Sequence, residues 1–257
     1  MKPASAGANS AFWQLSIAPS LTSRNTLYVV ERSDAAVALY RQDSLQLAAC
    51  GDPQQVSTVL AEVRENFARP DRSLLHQPVW AELAALERAH FGPEWGFAWD
   101  YYWITEPLPA IPNAELVEFF PAGSVQLQEI ADEVYQVLVA SNPISDSVAN
   151  FAKLDWFVLR LSDGAVATVL GAEPRGRELF LHGLGTAPQY RGQGYGGAIM
   201  VGAINLALAS YHSVQFGVWN WNHSAKRLYR RLGITNPADE LIVGRREPFP
   251  DLQALAV

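Results

Sequence analysis

Residues 186–197 read Thr-Ala-Pro-Gln-Tyr-Arg-Gly-Gln-Gly-Tyr-Gly-Gly and run directly into the apolar stretch Ala198-Ile199-Met200-Val201. A glycine-rich turn that opens a helix leaves several backbone N–H groups without an intrahelical acceptor. It aims them, with the positive end of the helix dipole, at whatever lies in front. That arrangement is an anion cradle, suited to a phosphate or pyrophosphate. Arg191 adds a fixed positive charge. From Arg191 to Ala238 there is no Asp or Glu, whereas Lys226, Arg227, Arg230 and Arg231 are all present. The segment suits a phosphate-rich ligand, and the last four residues taken alone also read as a solvated basic helix face.

Two other nucleotide-binding turns compete for the same glycines. A dinucleotide fold wants an acidic residue about 20 positions further on for the ribose hydroxyls, and none occurs before Asp239. A P-loop wants Gly-Lys-Ser/Thr after the turn, which is absent. A second pattern follows at Asn222-His223-Ser224-Ala225-Lys226-Arg227-Leu228-Tyr229-Arg230-Arg231-Leu232-Gly233-Ile234. Here Asn222 can cap a helix, Ala225 permits close approach, Leu228 and Leu232 lie one turn apart on the buried side, and Gly233 supplies a left-handed stop. Tyr229, two turns from Asn222, faces roughly the same way.

Arg191-Gly192-Gln193-Gly194-Tyr195-Gly196 matches the R/Q-x-x-G-x-G/A signature of the GNAT acyltransferases, and residues 222–234 resemble the family's N-x-x-A-x-x-L-Y-x-x-L-G-F, with Ile234 in place of Phe. The resemblance extends over about residues 115–246. It implies that the backbone of Gly192, Gln193, Gly194, Tyr195, Gly196 and Gly197, with Arg191, holds the pyrophosphate of acetyl-coenzyme A. It further implies that the strand 178–186 splays from its neighbour and takes the pantetheine arm along Leu184, Gly185 and Thr186, an N–H near Leu184 polarising the thioester carbonyl. The resemblance also places Asn222 and Tyr229 in this site, with Tyr229 expected to protonate the departing thiolate. Gly183 and Gly185 suit a bulge or a close backbone approach.

Acetyl transfer needs a neutral amine, hence a base. Glu178 and His182 share strand parity, and either can serve. Each also has a plainer reading, Glu178 as an exposed hairpin end and His182 as a strand histidine with its hydrogen bond satisfied. Trp156, Trp219 and Trp221 either line an acceptor pocket or belong to the core. The implied activity is an N-acetyltransferase acting on a primary amine of a small molecule or peptide in a ternary complex. The alternative is a non-catalytic acyl-CoA-binding module. No metal is called for.

These residues need elements to position them. Glu106-Pro107-Leu108-Pro109-Ala110-Ile111-Pro112-Asn113 carries three prolines in eight residues and breaks both helix and strand, which divides the chain near residue 112. Beyond it the patterning predicts a strand at 116–120, helices at 125–140 and 145–153, and strands at 156–161, 165–170 and 178–186. The glycine turn with its helix, a strand at 214–219, a helix at 224–232 and a closing strand at 241–245 follow. That order is the GNAT order, and the resemblance implies for 113–257 the GNAT fold, α/β with a mixed, mostly antiparallel sheet flanked by helices. Residues 1–112 read as a smaller α/β domain, with strands at 27–31, 37–41, 45–49 and 97–105 and helices at 54–67 and 79–90. Their order is that of a shortened, degenerate copy of the second half, without its glycine turn.

Composition sets the remaining bounds. At 257 residues, 49% hydrophobic and 18% charged, the chain is an ordinary globular sequence. It has no membrane-length apolar run, and the polar start, residues 1–10, does not read as a secretory signal. A cytoplasmic protein is expected. The net charge of −7 argues against nucleic acid as a partner and is compatible with a cationic acceptor. A homodimer is left open. Cys50, the only cysteine, excludes an internal disulfide or a cysteine metal cluster. It reads as a semi-buried structural thiol.

Overall fold

The structure is a computed structural model and describes residues 7–21, 25–41, 43–235 and 237–247. Residues 1–6 of the polar start lie outside the described residues. Two compact units are present. One comprises the described residues up to Tyr102, Val218–Asn222 and the chain's last strand. The other runs from Trp103 to Gly217 and includes His223–Thr235. The units thus part after Tyr102, and the proline segment near residue 112 lies inside the second.

In the first unit, a helical stretch including α1 (Ala18–Leu21) precedes three antiparallel strands, β1 (Asn25–Glu31), β2 (Ala35–Arg41) and β3 (Leu45–Gly51). Helix α2 (Pro53–Asn66) returns the chain to β4 (Arg72–His76), which runs parallel to β3. Its apolar residues Val56, Val59, Leu60 and Val63 recur at helical spacing and are buried against Val37, Leu39, Leu47 and Ala49 of the sheet. Each such side chain contributes about 1.5–3 kcal/mol on burial. The opposite face of β2 and β3 carries Ala36, Ala38, Ala48 and Cys50, all buried. Small residues there admit the N-terminal stretch: Gly7 O accepts from Cys50 Sγ at 3.4 Å, and Ala11, Phe12, Trp13 and Ile17 are buried. Cys50 is fully buried rather than half-buried, and desolvation pushes its thiol up to about 12.

Strand β4 has no counterpart in the sequence patterning, because five residues with polar ends show no alternation. The single helix expected at 79–90 is two, α3 (Gln77–Glu82) and α4 (Ala85–Phe91). The backbone is extended at Leu83 and Ala84, which sends Leu83 into the core, and Glu87 accepts from the Ala84 N–H at 3.2 Å to start the second helix. Strand β5 (Glu94–Ile104) follows.

The second unit opens with the proline segment, which is not a free tether. The Leu108 N–H donates to Asn205 Oδ1 at 2.8 Å and Asn205 Nδ2 donates to Leu108 O at 2.9 Å. Then come β6 (Val117–Phe120), α5 (Val125–Ser141), α6 (Asp146–Asn150), β7 (Asp155–Arg160), β8 (Val166–Arg175), β9 (Glu178–Thr186), α7 (Tyr195–Leu208), β10 (Ser213–Trp219) and α8 (His223–Arg231). The sheet order is β10-β9-β8-β7-β6, antiparallel except for the parallel β9–β10 pair. This is a mixed α/β fold with a mostly antiparallel sheet, as expected. Helices α5 and α7 cover opposite faces: a Cβ on Gly185 would strike Ser141 of α5, whereas the next residue, Thr186, lies against Gly196 of α7. Helix α7 is apolar nearly all round and buried accordingly. Among the described residues no helix is long and apolar enough to cross a membrane.

The last strand, β11 (Asp239–Arg245), corrects an expectation. Instead of pairing with a strand of the second unit, it pairs antiparallel with both β4 and β5 of the first. A topological repeat runs through the chain. β1-β2-β3-α2-β4 and β7-β8-β9-α7-β10 are each three antiparallel strands, a helix, and a strand parallel to the third.

Candidate active site

Strands β9 and β10 form a fork. They pair over Glu178–Leu181, from Ser213↔Glu178 to Phe216↔Leu181, and beyond this the β10 side of β9 has no ladder among the described residues. On its other side β9 stays paired to β8, with a register shift between Val169 and Gly171 that places an extra residue at Gly183 and Leu184. Gly183 has φ +58°, a conformation open to glycine. A Cβ on Gly183 would lie 2.6 Å from Ser147 Oγ, so the bulge also lets α6 approach the strand. The Leu184 carbonyl accepts from Asn142 Nδ2 at 3.3 Å and the Gly185 carbonyl from Thr168 Oγ1 at 2.7 Å. These bonds fix the backbone at the point where it leaves β10.

The glycine turn follows Thr186. Gly192 and Gly194 have φ of +79° and +90°, and a Cβ on either would meet nothing within 4 Å. Their glycine character answers to backbone conformation, and the space in front of the turn is open. Gly194 is the N-cap of α7, and the first helical carbonyl to accept is its own, from the Gly197 and Ala198 N–H groups at 2.9 and 3.0 Å. The amides from Gln193 to Gly196 therefore precede the intrahelical ladder. Gly196 and Gly197 do pack: a Cβ would lie 3.3 Å from Thr186 Oγ1 at Gly196, and 3.5 Å from both Leu228 and Leu232 at Gly197. Arg191 is exposed and lies 3.4 Å from the Thr186 and Ser141 carbonyls, where the negative end of the α5 dipole favours it. Tyr195 is half-buried, 6.3 Å from Tyr190 ring to ring, and Gln193 reaches back to Gln189 O.

Tyr229 is buried, its ring 4.9 Å from that of Phe216, the last β10 residue paired to β9. Helix α8 thus delivers Tyr229 to the root of the fork. Asn222 directly precedes α8, its N–H donating to Trp219 O at 2.9 Å. Of the tryptophans, Trp156 is core, buried against Phe151 with its Nε1 donating to the Phe151 carbonyl. Trp219 is half-buried among Phe97 and Trp99, and Trp221 is half-buried.

The two base candidates are separated. Glu178 sits at the paired end of β9, where its carboxylate accepts from Ser213 Oγ. At about 3.3 Å per residue it lies roughly 20 Å along the strand from Leu184. His182 sits at the bulge itself. Its Nε2 lies 3.2 Å from Glu173 Oε2 and its Nδ1 3.8 Å from Asp146 Oδ1. Burial alone would lower the imidazole pKa, but Asp146 and Glu173 outweigh it and the pKa is raised. His182 in turn holds the Glu173 carboxyl down at about 2, with help from Arg175, whose Nη2 is 2.6 Å away. It also holds Asp146 below the usual carboxylate range.

Nothing in the sequence singles out Glu173, Asp146, Arg175 or Ser147. Asp146 and Ser147 come from α6, Glu173 and Arg175 from β8, and only the tight hairpin with Gly176 at φ +64° brings β8 alongside His182. Together with Asn150, Lys153 and Leu154 they line a cleft of about 240 Å³.

Residues 124–234 match the family model described as the acetyltransferase (GNAT) family. No curated protein matches the chain. Solved structures share its fold at low identity. A GCN5-related N-acetyltransferase from Kribbella flavida has a TM-score of 0.55 at 18% identity, over 91% of this chain and 94% of that one. An acetyltransferase from the GNAT family of Colwellia psychrerythraea has 0.55 at 12%, over 86% and 84%. A GCN5-related N-acetyltransferase from Sphaerobacter thermophilus has 0.52 at 14%, over 84% and 78%.

Proposed function

We propose, from the match of residues 124–234 to the GNAT acetyltransferase family model, that the protein transfers an acetyl group from acetyl-coenzyme A to a primary amine of a small molecule or peptide by direct attack. The observation that carries this reading is the β9–β10 fork ending in a glycine-capped helix. The unladdered edge of β9 suits an extended, amide-bearing arm along Leu184, Gly185 and Thr186. The open turn at Gly192, Gln193, Gly194, Tyr195, Gly196 and Gly197, with Arg191 beside it, suits a pyrophosphate. When bound, the coenzyme supplies an acyl thioester whose carbon–sulfur bond breaks as the amine nitrogen bonds to the acetyl carbon.

The chain's own groups then have distinct tasks. The Leu184 N–H polarises the acyl carbonyl. His182 takes a proton from the incoming ammonium, and its place at the bulge favours it over Glu178. Tyr229 Oη gives its proton to the leaving sulfur and is refilled from the amine. Of the two protons the ammonium loses, one ends on the thiol and one in solvent. A cytoplasmic setting is part of the same reading.

Thiol release from acetyl-coenzyme A, screened over amino acids, polyamines, aminoglycosides and short peptides, tests the proposal. Amine-dependent release is expected. Tight coenzyme binding with no release for any amine would instead favour a non-catalytic acyl-CoA-binding module.

A further inference from the structure

The cleft between α6 and the β8–β9 hairpin contains polar groups that the mechanism above does not use. Ser147 is 1% exposed, lines the cleft, and its Oγ has no hydrogen-bond partner among the described residues. A buried hydroxyl left unpaired is unfavourable unless something enters to satisfy it. The same Oγ lies against Gly183, next to Leu184, so whatever satisfies it sits beside the bulge of β9.

The charges around the cleft are unequally committed. Glu173 is taken up by Arg175 at 2.6 Å and His182 at 3.2 Å, and Arg175 also lies over the Phe180 ring at 4.3 Å. Asp146 is engaged on one side only: its side chain is 76% exposed and the His182 imidazole, its one partner among the described side chains, stands off at 3.8 Å, which leaves the outer face of the carboxylate open. Lys153 lies 3.5 Å from Asn150 Oδ1 and meets no carboxylate among the described residues. One anion and one cation are therefore available to a ligand, from the two ends of the α6 segment.

We propose that this cleft is the acceptor pocket and that its substrate is a small primary amine that itself carries a carboxylate, of amino-acid size, with the ammonium at Asp146 beside His182 and the carboxylate at Lys153. This rests on the acetyltransferase reading above. Size is compatible with it: the cleft holds about 240 Å³, room for an amino-acid-sized ligand. Charge supports it as well. With His182 neutral, as a base must be, Asp146 and Glu173 are balanced by Arg175 and Lys153, so the cleft has no surplus of negative charge with which to hold a polyamine.

The test compares thiol release for amino acids, their amides and the corresponding decarboxylated amines, on the wild type and on Lys153→Met. The amino acid should exceed its amide at least about tenfold in kcat/KM, and that ratio should fall toward one in Lys153→Met. Equal rates for amino acid and amide, or a ratio unchanged in the variant, would overturn the proposal while leaving the acetyltransferase reading intact. The His182 imidazole resonances provide a readout independent of turnover. Titration with free amino acids should shift them at concentrations about tenfold lower than the amides require. If no amino acid shifts them, the cleft is not an amino-acid site, whatever the thiol assay shows.

Discussion

Asp52 and Gly194 are the N-cap residues of equivalent helices, each following the third antiparallel strand of its repeat. The Asp52 carboxylate accepts from the Gln54 and Gln55 N–H groups at 3.1 Å each. Gly194 has no side chain to do the same. One turn carries its own anion and the other is open to an anion from outside. Gly194→Asp should close the second turn twice over, by placing a carboxylate at the amides and by forcing a side chain onto φ +90°. Calorimetry should show coenzyme affinity falling at least about tenfold, since about 1.4 kcal/mol suffices for that. Asp52→Ala should cost about 1 kcal/mol of stability in urea and leave coenzyme affinity alone.

Tyr229 is buried at the fork, so its hydroxyl can be removed with little change in packing around Phe216. Tyr229→Phe should lower kcat by about 10- to 10³-fold with coenzyme affinity nearly unchanged. Full turnover in this variant would take the tyrosine out of the mechanism.

Much of the second unit is legible in the sequence because its signals are local. Glycines in a fixed spacing, a strictly apolar helix and a hairpin turn each announce themselves within a few residues. The pieces that stay hidden depend on distant partners. β4 is too short to alternate, and β11 has the same apolar character whichever sheet it joins. Glu173 and Asp146 become visible only when the hairpin register and α6 place them around His182. Trp156 reads as pocket or, more often at such aromatic density, as core, and the structure puts it in the core.

The cluster around His182 has a defined pH signature. The imidazole pKa is raised above its ordinary 6.5, so folding favours the protonated form, and that stabilisation is complete below 6.5 and lost as pH rises through the folded value. Glu173 runs the other way: its contribution is present above 4.5 and lost as pH falls toward about 2. An NMR titration should place the His182 midpoint above 6.5, and Glu173→Gln should move it down. A wild-type midpoint at or below 6.5 would contradict the arrangement.

Phe12 is buried between the His76 and Tyr101 rings, and its N–H donates to Asp239 Oδ2 at 2.7 Å. If this early segment is part of the first unit's core, Phe12→Ala should cost about 3–5 kcal/mol in urea denaturation. A loss below about 1 kcal/mol would mean that the segment merely rests on the surface.

The seating of β11 between β4 and β5 bears on how the protein can be made. When a ribosome has released residues up to 112, the strand that joins β4 to β5 does not yet exist. Both of its future neighbours still present bare edges, the kind that seek foreign strands. The first unit must wait for residues 239–245, synthesised after every strand of the second unit, before β4 and β5 are joined. A fragment ending at residue 112 should therefore be recovered mainly as aggregate, and supplying β11 through a short engineered linker after β5 should restore it to solution.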